Sequence, residues 1–289
     1  MKWLVPAPQK LVAFLQHQLG DYSGKFLRRV LEANLCRING KIERFGSRDV
    51  RGGDAVELAP HWKSLLTPEL PKFETLYEDE FFKIVDKPSN WVCTDEEALR
   101  AFGPKHYLVH RLDKDTTGLL IVAKSPTVRD RFMELFEQRA ISKQYLALVD
   151  GVPNEGGVRK SLLGKKGSFQ GQTIWGSGPK GLTAITPWKR LAMGAKAALL
   201  LVEPETGRTH QIRVHLAEMG YPILVDRQYA KSFRCPLFIQ RPLLHAYRLR
   251  FDHPFLGKSI DLTAPLPLDM REALKGVGIV MSQLPFLMP

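Results

Sequence analysis

Beyond residue 72 the chain is built mainly from short β-prone runs: Lys83 to Asp86, Gly118 to Ala123, Tyr145 to Val149 and Ala198 to Glu203. Only Thr127 to Gln138 and Thr209 to Met219 carry convincing helical periodicity. Strands that outnumber helices, separated by many turn residues, predict an α+β domain on a mixed, mostly antiparallel sheet. Pro60, Pro68 and Pro71 disfavour continued helix or central strand between them. The expected organisation is therefore a small module over residues 1–62, a linker over 63–72 and a larger domain over 73–289. A length of 289 residues suits two domains with a sizeable core, and 44 % apolar with 25 % charged residues is ordinary globular composition, which excludes a disordered chain.

Leu11, Phe14 and Leu15 recur at helical spacing, and Phe26, Leu27, Val30 and Leu31 repeat the pattern behind Ser23, a plausible N-cap. Asn39-Gly40 between two β-prone runs signals a two-residue hairpin turn, and Gly52-Gly53-Asp54 marks another turn before Ala55 to Leu58. Two helices and a hairpin sheet make a compact module whose second helix carries Lys25, Arg28 and Arg29. That basic cluster is either a solvated face or a binding surface.

Forty-two Lys and Arg against 30 Asp and Glu leave a formal charge of +12, which favours a polyanion, nucleic acid ahead of an acidic membrane surface. Charge is also segregated. From Gly156 to Val202 there is no acid, while eight cations, Lys165 and Lys166 among them, stand in a glycine-rich stretch with Phe169, Trp175 and Trp188. Exposed basic loops with aromatics can track a phosphate backbone and stack bases. Cys36, Cys93 and Cys235 form no paired spacing, so neither a disulfide framework nor a cysteine zinc site is indicated. No apolar run approaches the roughly 18 residues of a membrane span, and the first residues lack a signal-peptide core. A cytoplasmic protein with no membrane contact is expected. The apolar tail over 277–289 is expected to pack across the larger domain.

Two motifs fail on context. Gly176 to Gly181 fits G-x-G-x-x-G, but Pro179 sits inside it and β-prone residues follow, where that fingerprint requires a helix. His106 and His110 lack a third metal ligand. The densest reactive cluster is His110-Arg-Leu-Asp113-Lys-Asp115-Thr-Thr-Gly118, a polar loop feeding an apolar strand. Its alternating charges could equally stabilise the loop. A second cluster, Glu205 to His215, reads as a turn opening a helix, with Arg208, Gln211 and Arg213 available to a ligand at amides that favour anions. Ile212, Leu216 and Met219 form the expected core stripe, with Arg213 on another face.

With its flanking blocks this pattern resembles the RluA-type pseudouridine synthases. The matching blocks are His110-Arg-Leu-Asp113 with Thr117 to Lys124, Lys143-Gln-Tyr145 to Gly151, Gly207 to His215, Arg241 to Leu249, and Ala264 to Pro267, together spanning about 73–268. The first 60 residues resemble the ribosomal protein S-four-type RNA-binding module through Phe26 to Arg29, Ile38 to Lys41 and Gly53-Asp54.

The resemblance implies isomerisation of uridine to pseudouridine in structured RNA, ribosomal ahead of transfer RNA, by a monomer with no metal and no small-molecule cofactor. The glycosidic bond breaks, the base rotates and rejoins through carbon 5, so no redox step is involved. Asp113 is implied as the catalytic carboxylate, able to act as nucleophile or general base, with Arg213 as its cationic partner. Tyr145 is implied to pack on the flipped base, whose extraction costs a few kcal/mol. Arg111 is implied to occupy the gap left in the RNA. Lys25, Arg28, Arg29, Lys41, Lys165, Lys166, Arg208 and His210 are the expected RNA contacts. The alternatives are a non-catalytic RNA-binding or ribosome-assembly protein on the same fold, and a hydrolase using Asp113 with His110.

Overall fold

The structure is a computed structural model that describes residues 1–65, 72–169, 172–230, 232–235, 237–284 and 287. The chain divides into two compact units, Met1–Leu70 with Pro236–Arg241, and Pro71–Cys235 with Pro242–Pro289. Residues 66–71 of the expected linker and 285, 286, 288 and 289 of the tail lie outside the described residues.

The first unit contains β1 (Lys2–Leu4), β2 (Gln9–Lys10), α1 (Leu11–Leu19), α2 (Gly24–Glu32), β3 (Cys36–Ile38), β4 (Lys41–Ile42), β5 (Asp49–Val50) and β6 (Ala55–Leu58). Ser23 caps α2, its hydroxyl accepting the Phe26 N–H at 3.2 Å. Asn39 and Gly40 both take positive φ, 51° and 78°, as a tight hairpin turn requires. Leu11, Phe14, Leu15, Phe26, Leu27, Val30 and Leu31 are all buried, joined by Trp62. Lys25, Arg28, Arg29 and Lys41 are exposed.

The second unit begins with β7 (Glu74–Glu78), β8 (Phe82–Lys87), α3 (Asp95–Phe102), β9 (Tyr107–Leu108), β10 (Thr117–Ala123), α4 (Pro126–Glu137) and β11 (Ser142–Asp150). It continues through β12 (Gly156–Phe169), β13 (Gln172–Ser177), β14 (Leu182–Met193), β15 (Ala197–Val202), α5 (Gln211–Glu218), β16 (Leu244–Asp252), β17 (Ser259–Thr263) and α6 (Leu268–Gly276). These strands form one sheet of eleven, ordered β13-β12-β14-β15-β11-β16-β10-β8-β7, with β17 on β16 and β9 on β10. Among the described residues β10 with β16 is the parallel pair; the others are antiparallel. The expected mixed, mostly antiparallel sheet is thus what forms.

Every residue of β10 is buried, because the sheet is covered on both faces here. Leu119, Ile121 and Ala123 pack with Phe132 and Leu135 of α4, whereas Leu120 and Val122 pack with Trp91, Cys93 and Leu112.

Three expectations are corrected. The basic segment 156–202 is not a set of exposed loops: ahead of the expected strand, which is β15, it forms the long strands β12 and β14 with β13 between them. Glycine hides this alternation in the sequence: a Cβ at Gly164 would approach the Lys180 carbonyl oxygen to 2.9 Å, so a side chain is excluded where the strands turn back. Trp175 is accordingly half-buried against Leu163, Ala184 and Val214 rather than displayed to solvent, and the Phe169 side chain lies outside the described residues. Two helices were not anticipated. In α3 only Ala98 is buried, so it shows no apolar stripe, yet Thr94 caps it and Asp95, Glu96 and Glu97 favour its N-terminus. α6 follows the proline-rich 265–267 and buries Met270, Ala273 and Leu274. The described part of the tail buries Val277, Ile279 and Leu284.

Gly118 decides how β10 meets β16. Its φ is +109°, and a Cβ would overlap the Ala246 backbone directly opposite in the parallel register. Gly118→Ala is therefore expected to lose about 3 kcal/mol or more of stability, read as a melting midpoint lowered by roughly 6 °C or more. A midpoint within a degree of the parent in thermal denaturation would contradict this packing.

Candidate active site

Asp113 sits on the loop that feeds β10, and the loop is fixed from three sides. The fully buried Lys87 ammonium donates to the carbonyls of Pro88, Trp91 and Lys114 at 2.7, 3.0 and 3.0 Å. The Leu112 N–H donates to the Cys93 thiol sulfur at 3.4 Å, and the Thr116 N–H donates to the Asp113 carbonyl at 3.1 Å. Thr117 Oγ1 meets the buried His245 Nδ1 at 2.9 Å. A backbone held this way leaves the Asp113 side chain little positional freedom.

The Asp113 carboxylate is partly accessible, 24 % exposed, at a cavity of about 520 Å³. Its Oδ2 accepts from Arg213 Nη1 at 3.3 Å, and its Oδ1 lies 3.8 Å from His210 Nε2. Arg213 is itself anchored: Nε and Nη2 donate to the two oxygens of buried Asp226 at 2.7 and 2.8 Å, and Nη2 also donates to Gln228 Oε1 at 2.7 Å. Burial opposes the guanidinium charge, but the Asp226 hydrogen bonds and the charges of Asp226 and Asp113 outweigh it and raise its pKa. Arg213 is therefore held as a cation beside Asp113. The predicted stripe on α5 is corrected here: Gln211, Arg213 and His215 are buried as well as Ile212 and Leu216. Polar groups in that position require partners, and the surrounding strands and loops supply them.

Gln211 Nε2 donates to the Ile185 carbonyl and Thr186 Oγ1, while its Oε1 accepts from Thr206 Oγ1 and the Arg208 N–H. His215 lies between Thr186 Oγ1 and Ser161 Oγ at 2.8 and 2.9 Å. Two backbone distortions flank the cluster. His210 and Val225 take φ of 57° and 69°, and for a β-branched residue that conformation is strained, costing about 1–3 kcal/mol. Val225 immediately precedes Asp226, so the strain buys the placement of the carboxylate that holds Arg213.

Tyr145 lines the same cavity from β11, where the pairing with β16 slips between Gln144 and Tyr145, a bulge that redirects the side chain. Burial, then the charge of Asp113, pushes its phenol pKa up, so it presents a neutral phenol. Arg111 is exposed beside Asp113, and Arg208, on the cavity lining, donates from Nε to the Thr183 carbonyl at 3.1 Å. His210 Nδ1 meets the Tyr229 hydroxyl at 2.7 Å, and burial lowers its pKa. Lys165 and Lys166 are exposed on β12. Among the predicted residues, Asp113, Tyr145, Arg213, Arg111, Arg208 and His210 thus gather at one cavity, while the lysines of β12 are displayed on the hairpin.

The pairing of Asp113 with His110 does not form. His110 Nε2 accepts the Ile121 N–H at 3.0 Å, so that nitrogen is committed to the backbone, and its ring lies tilted against Phe136 with centroids 4.9 Å apart. Sequence reading missed Lys143, Asp226, Gln228 and Tyr229. Lys143 lines the cavity with its pKa lowered by burial, and its only signal was its place two residues before Tyr145. Asp226 lies thirteen residues beyond Arg213. Among the described residues no group of three or more His, Cys, Asp or Glu is placed to hold a metal ion.

His110 and His215 are held neutral, their pKa values pushed from 6.5 down to about 3 and about 4 by burial, with the Lys143 cation adding to the effect at His110. The unfolded chain takes up protons on these rings below about pH 6.5 and the folded chain does not, so stability is expected to fall as pH drops from 6.5 toward 4. Urea titrations across that range should show a shallower loss in His110→Gln than in the parent. Equal slopes would mean that His110 protonates in the folded protein.

Residues 82–218 match the family described as RNA pseudouridylate synthase. The chain is 30 % identical to ribosomal large subunit pseudouridine synthase D of Pasteurella multocida, over 93 % of this chain and 91 % of that protein. It is 36 % identical to ribosomal large subunit pseudouridine synthase C of Buchnera aphidicola, over 93 % and 94 %. Among solved structures, human RNA pseudouridylate synthase domain containing 4 superposes with a TM-score of 0.59 at 25 % identity, over 70 % of this chain and 92 % of that one.

Proposed function

The chain belongs to the RNA pseudouridylate synthase family and is an isomerase that makes pseudouridine, and we propose that it acts on large-subunit ribosomal RNA with Asp113 as the reacting carboxylate. The substrate follows from the relatives, which are named for the ribosomal large subunit. The role of Asp113 is supported by one observation above the others: it is an accessible carboxylate at the cavity, paired with a guanidinium that a second, buried carboxylate holds in place.

The uridine leaves the RNA stack and enters the cavity, because the atoms that react are hidden within a helix. Tyr145 packs against the base and recovers part of the cost. Asp113 attacks the sugar or removes a proton, the bond from the sugar to ring nitrogen 1 breaks, and the base turns. Carbon 5 then bonds to the sugar, displacing Asp113 where it was attached, and gives up its proton while ring nitrogen 1 takes one up, so atoms balance with no redox partner. Arg213 keeps Asp113 charged and oriented through these steps. Arg111, at the rim, fills the space that the flipped nucleotide leaves. His210, as the neutral ring, and the Arg208 cation contact the RNA beside the cavity, and Lys165 and Lys166 take its phosphates. The first unit serves as an S-four-type RNA-binding module through Lys25, Arg28, Arg29 and Lys41. The enzyme works as a monomer in the cytoplasm, where its free thiols Cys36, Cys93 and Cys235 are stable. No described helix is long and apolar enough to cross a membrane.

Asp113→Asn is expected to abolish isomerisation and leave RNA affinity nearly intact, since it removes chemistry but few phosphate contacts. Carbodiimide mapping of pseudouridines in cells lacking the gene should show ribosomal sites that vanish, return with the parent protein and stay absent with Asp113→Asn. Transfer-RNA sites behaving this way would transfer the proposal to that substrate; an active Asp113→Asn would end the assignment. Reversing Lys165 and Lys166 to Glu should weaken binding across sequences and reduce the salt slope of log affinity by roughly 2. An unchanged slope would remove the hairpin from the RNA interface.

A further inference from the structure

β13 closes one end of the sheet, pairing with β12 on one side only. Such an edge presents bare N–H and C=O groups. Two of them are taken by the segment that also holds Arg213: the Thr173 carbonyl accepts from Gln228 Nε2 at 3.0 Å, and the Trp175 N–H donates to the Tyr229 hydroxyl at 3.4 Å. Residues two apart on a strand face the same way, so both contacts come from one side of β13.

Each contact begins a chain that ends on one Asp113 oxygen. With its amide nitrogen donating to Thr173, Gln228 must turn its Oε1 toward Arg213 Nη2, 2.7 Å away, and Arg213 Nη1 then donates to Asp113 Oδ2 at 3.3 Å. With its oxygen accepting from Trp175, Tyr229 has its own proton free for His210 Nδ1 at 2.7 Å. The neutral ring then carries its proton on Nε2, the nitrogen that faces Asp113 Oδ1 at 3.8 Å. The polarity of the strand edge, an acceptor at 173 and a donor at 175, is thereby converted into two donors aimed at one carboxylate.

We propose that Gln228 and Tyr229 are positioning residues that key Asp113 to the edge of β13. Because Lys165 stands directly opposite Trp175 in the β12–β13 pairing, the element proposed to grip phosphate and the element that orients the reacting carboxylate are one hairpin. This rests on the reading of Asp113 as the reacting group.

The test is single-turnover tritium release from an unmodified large-subunit ribosomal transcript labelled at uracil carbon 5, with filter-binding affinity and thermal melting measured on the same full-length proteins. Tyr229→Phe and Gln228→Leu should each lower the rate constant about fivefold to tenfold, and the pair should lower it further, with affinity within about twofold of the parent. Gln228→Glu keeps the shape and the acceptor for Arg213 but loses the donor to Thr173, so it should be slowed as well, and it serves if Gln228→Leu does not fold. Parental rates in Tyr229→Phe and in the Gln228 variant that folds, or effects on affinity or melting alone, would overturn the keying. The two readings separate on Asp113→Asn: inactive Asp113→Asn beside fully active Tyr229→Phe and Gln228→Glu sinks only the keying, whereas active Asp113→Asn sinks the reading beneath it.

Discussion

The bidentate pair between Arg213 and Asp226 is the interaction on which the site depends. Both groups are almost wholly removed from water, at 10 % and 1 % side-chain exposure, so each charge would be costly without the other. The pair uses Nε and Nη2 of the guanidinium and leaves Nη1 for Asp113. One buried carboxylate satisfies the cation, and the partly accessible one remains open to react. Geometry of this kind suits arginine and not lysine, because only the planar fork can serve two carboxylates in fixed directions.

Much of the surrounding structure maintains that arrangement. The turn through Val225 is strained to present Asp226, and Gly118 lets β10 approach β16 where the Asp113 loop ends. Lys87, solvated by three carbonyls, ties the segment after β8 to the same loop. Gln211 and His215 connect α5 to β12, β14 and the 206–208 turn by hydrogen bonds among neutral groups, so the helix that carries Arg213 cannot rotate without breaking several of them. The cavity is consequently organised before any substrate arrives, which is the condition for electrostatic stabilisation of a developing charge.

The fold was legible where local chemistry and burial agree. Asn39-Gly40 specified its turn, Ser23 capped its helix, and the apolar run after Thr117 was a strand buried on both faces. It was illegible where tertiary contact overrides local pattern. The strands β12 and β13 read as loops because glycines stand where backbones touch and a run of exposed lysines masks the alternation. α3 shows no stripe because it buries a single alanine, and α5 shows too narrow a stripe because it buries polar residues whose partners lie elsewhere in the chain.

The sequence by itself determined the chemical inventory and the family: a basic chain, an α+β sheet, and the blocks around Asp113, Tyr145 and Arg213 in order. Those are properties of residue type and spacing. Only the tertiary structure decided that Asp226, Gln228 and Tyr229 complete the site, that His110 serves the backbone instead of Asp113, and that β13 is wired to the carboxylate. Hydrogen bonds join groups a hundred residues apart and more, and their direction is set by donors and acceptors that meet only once the sheet has formed.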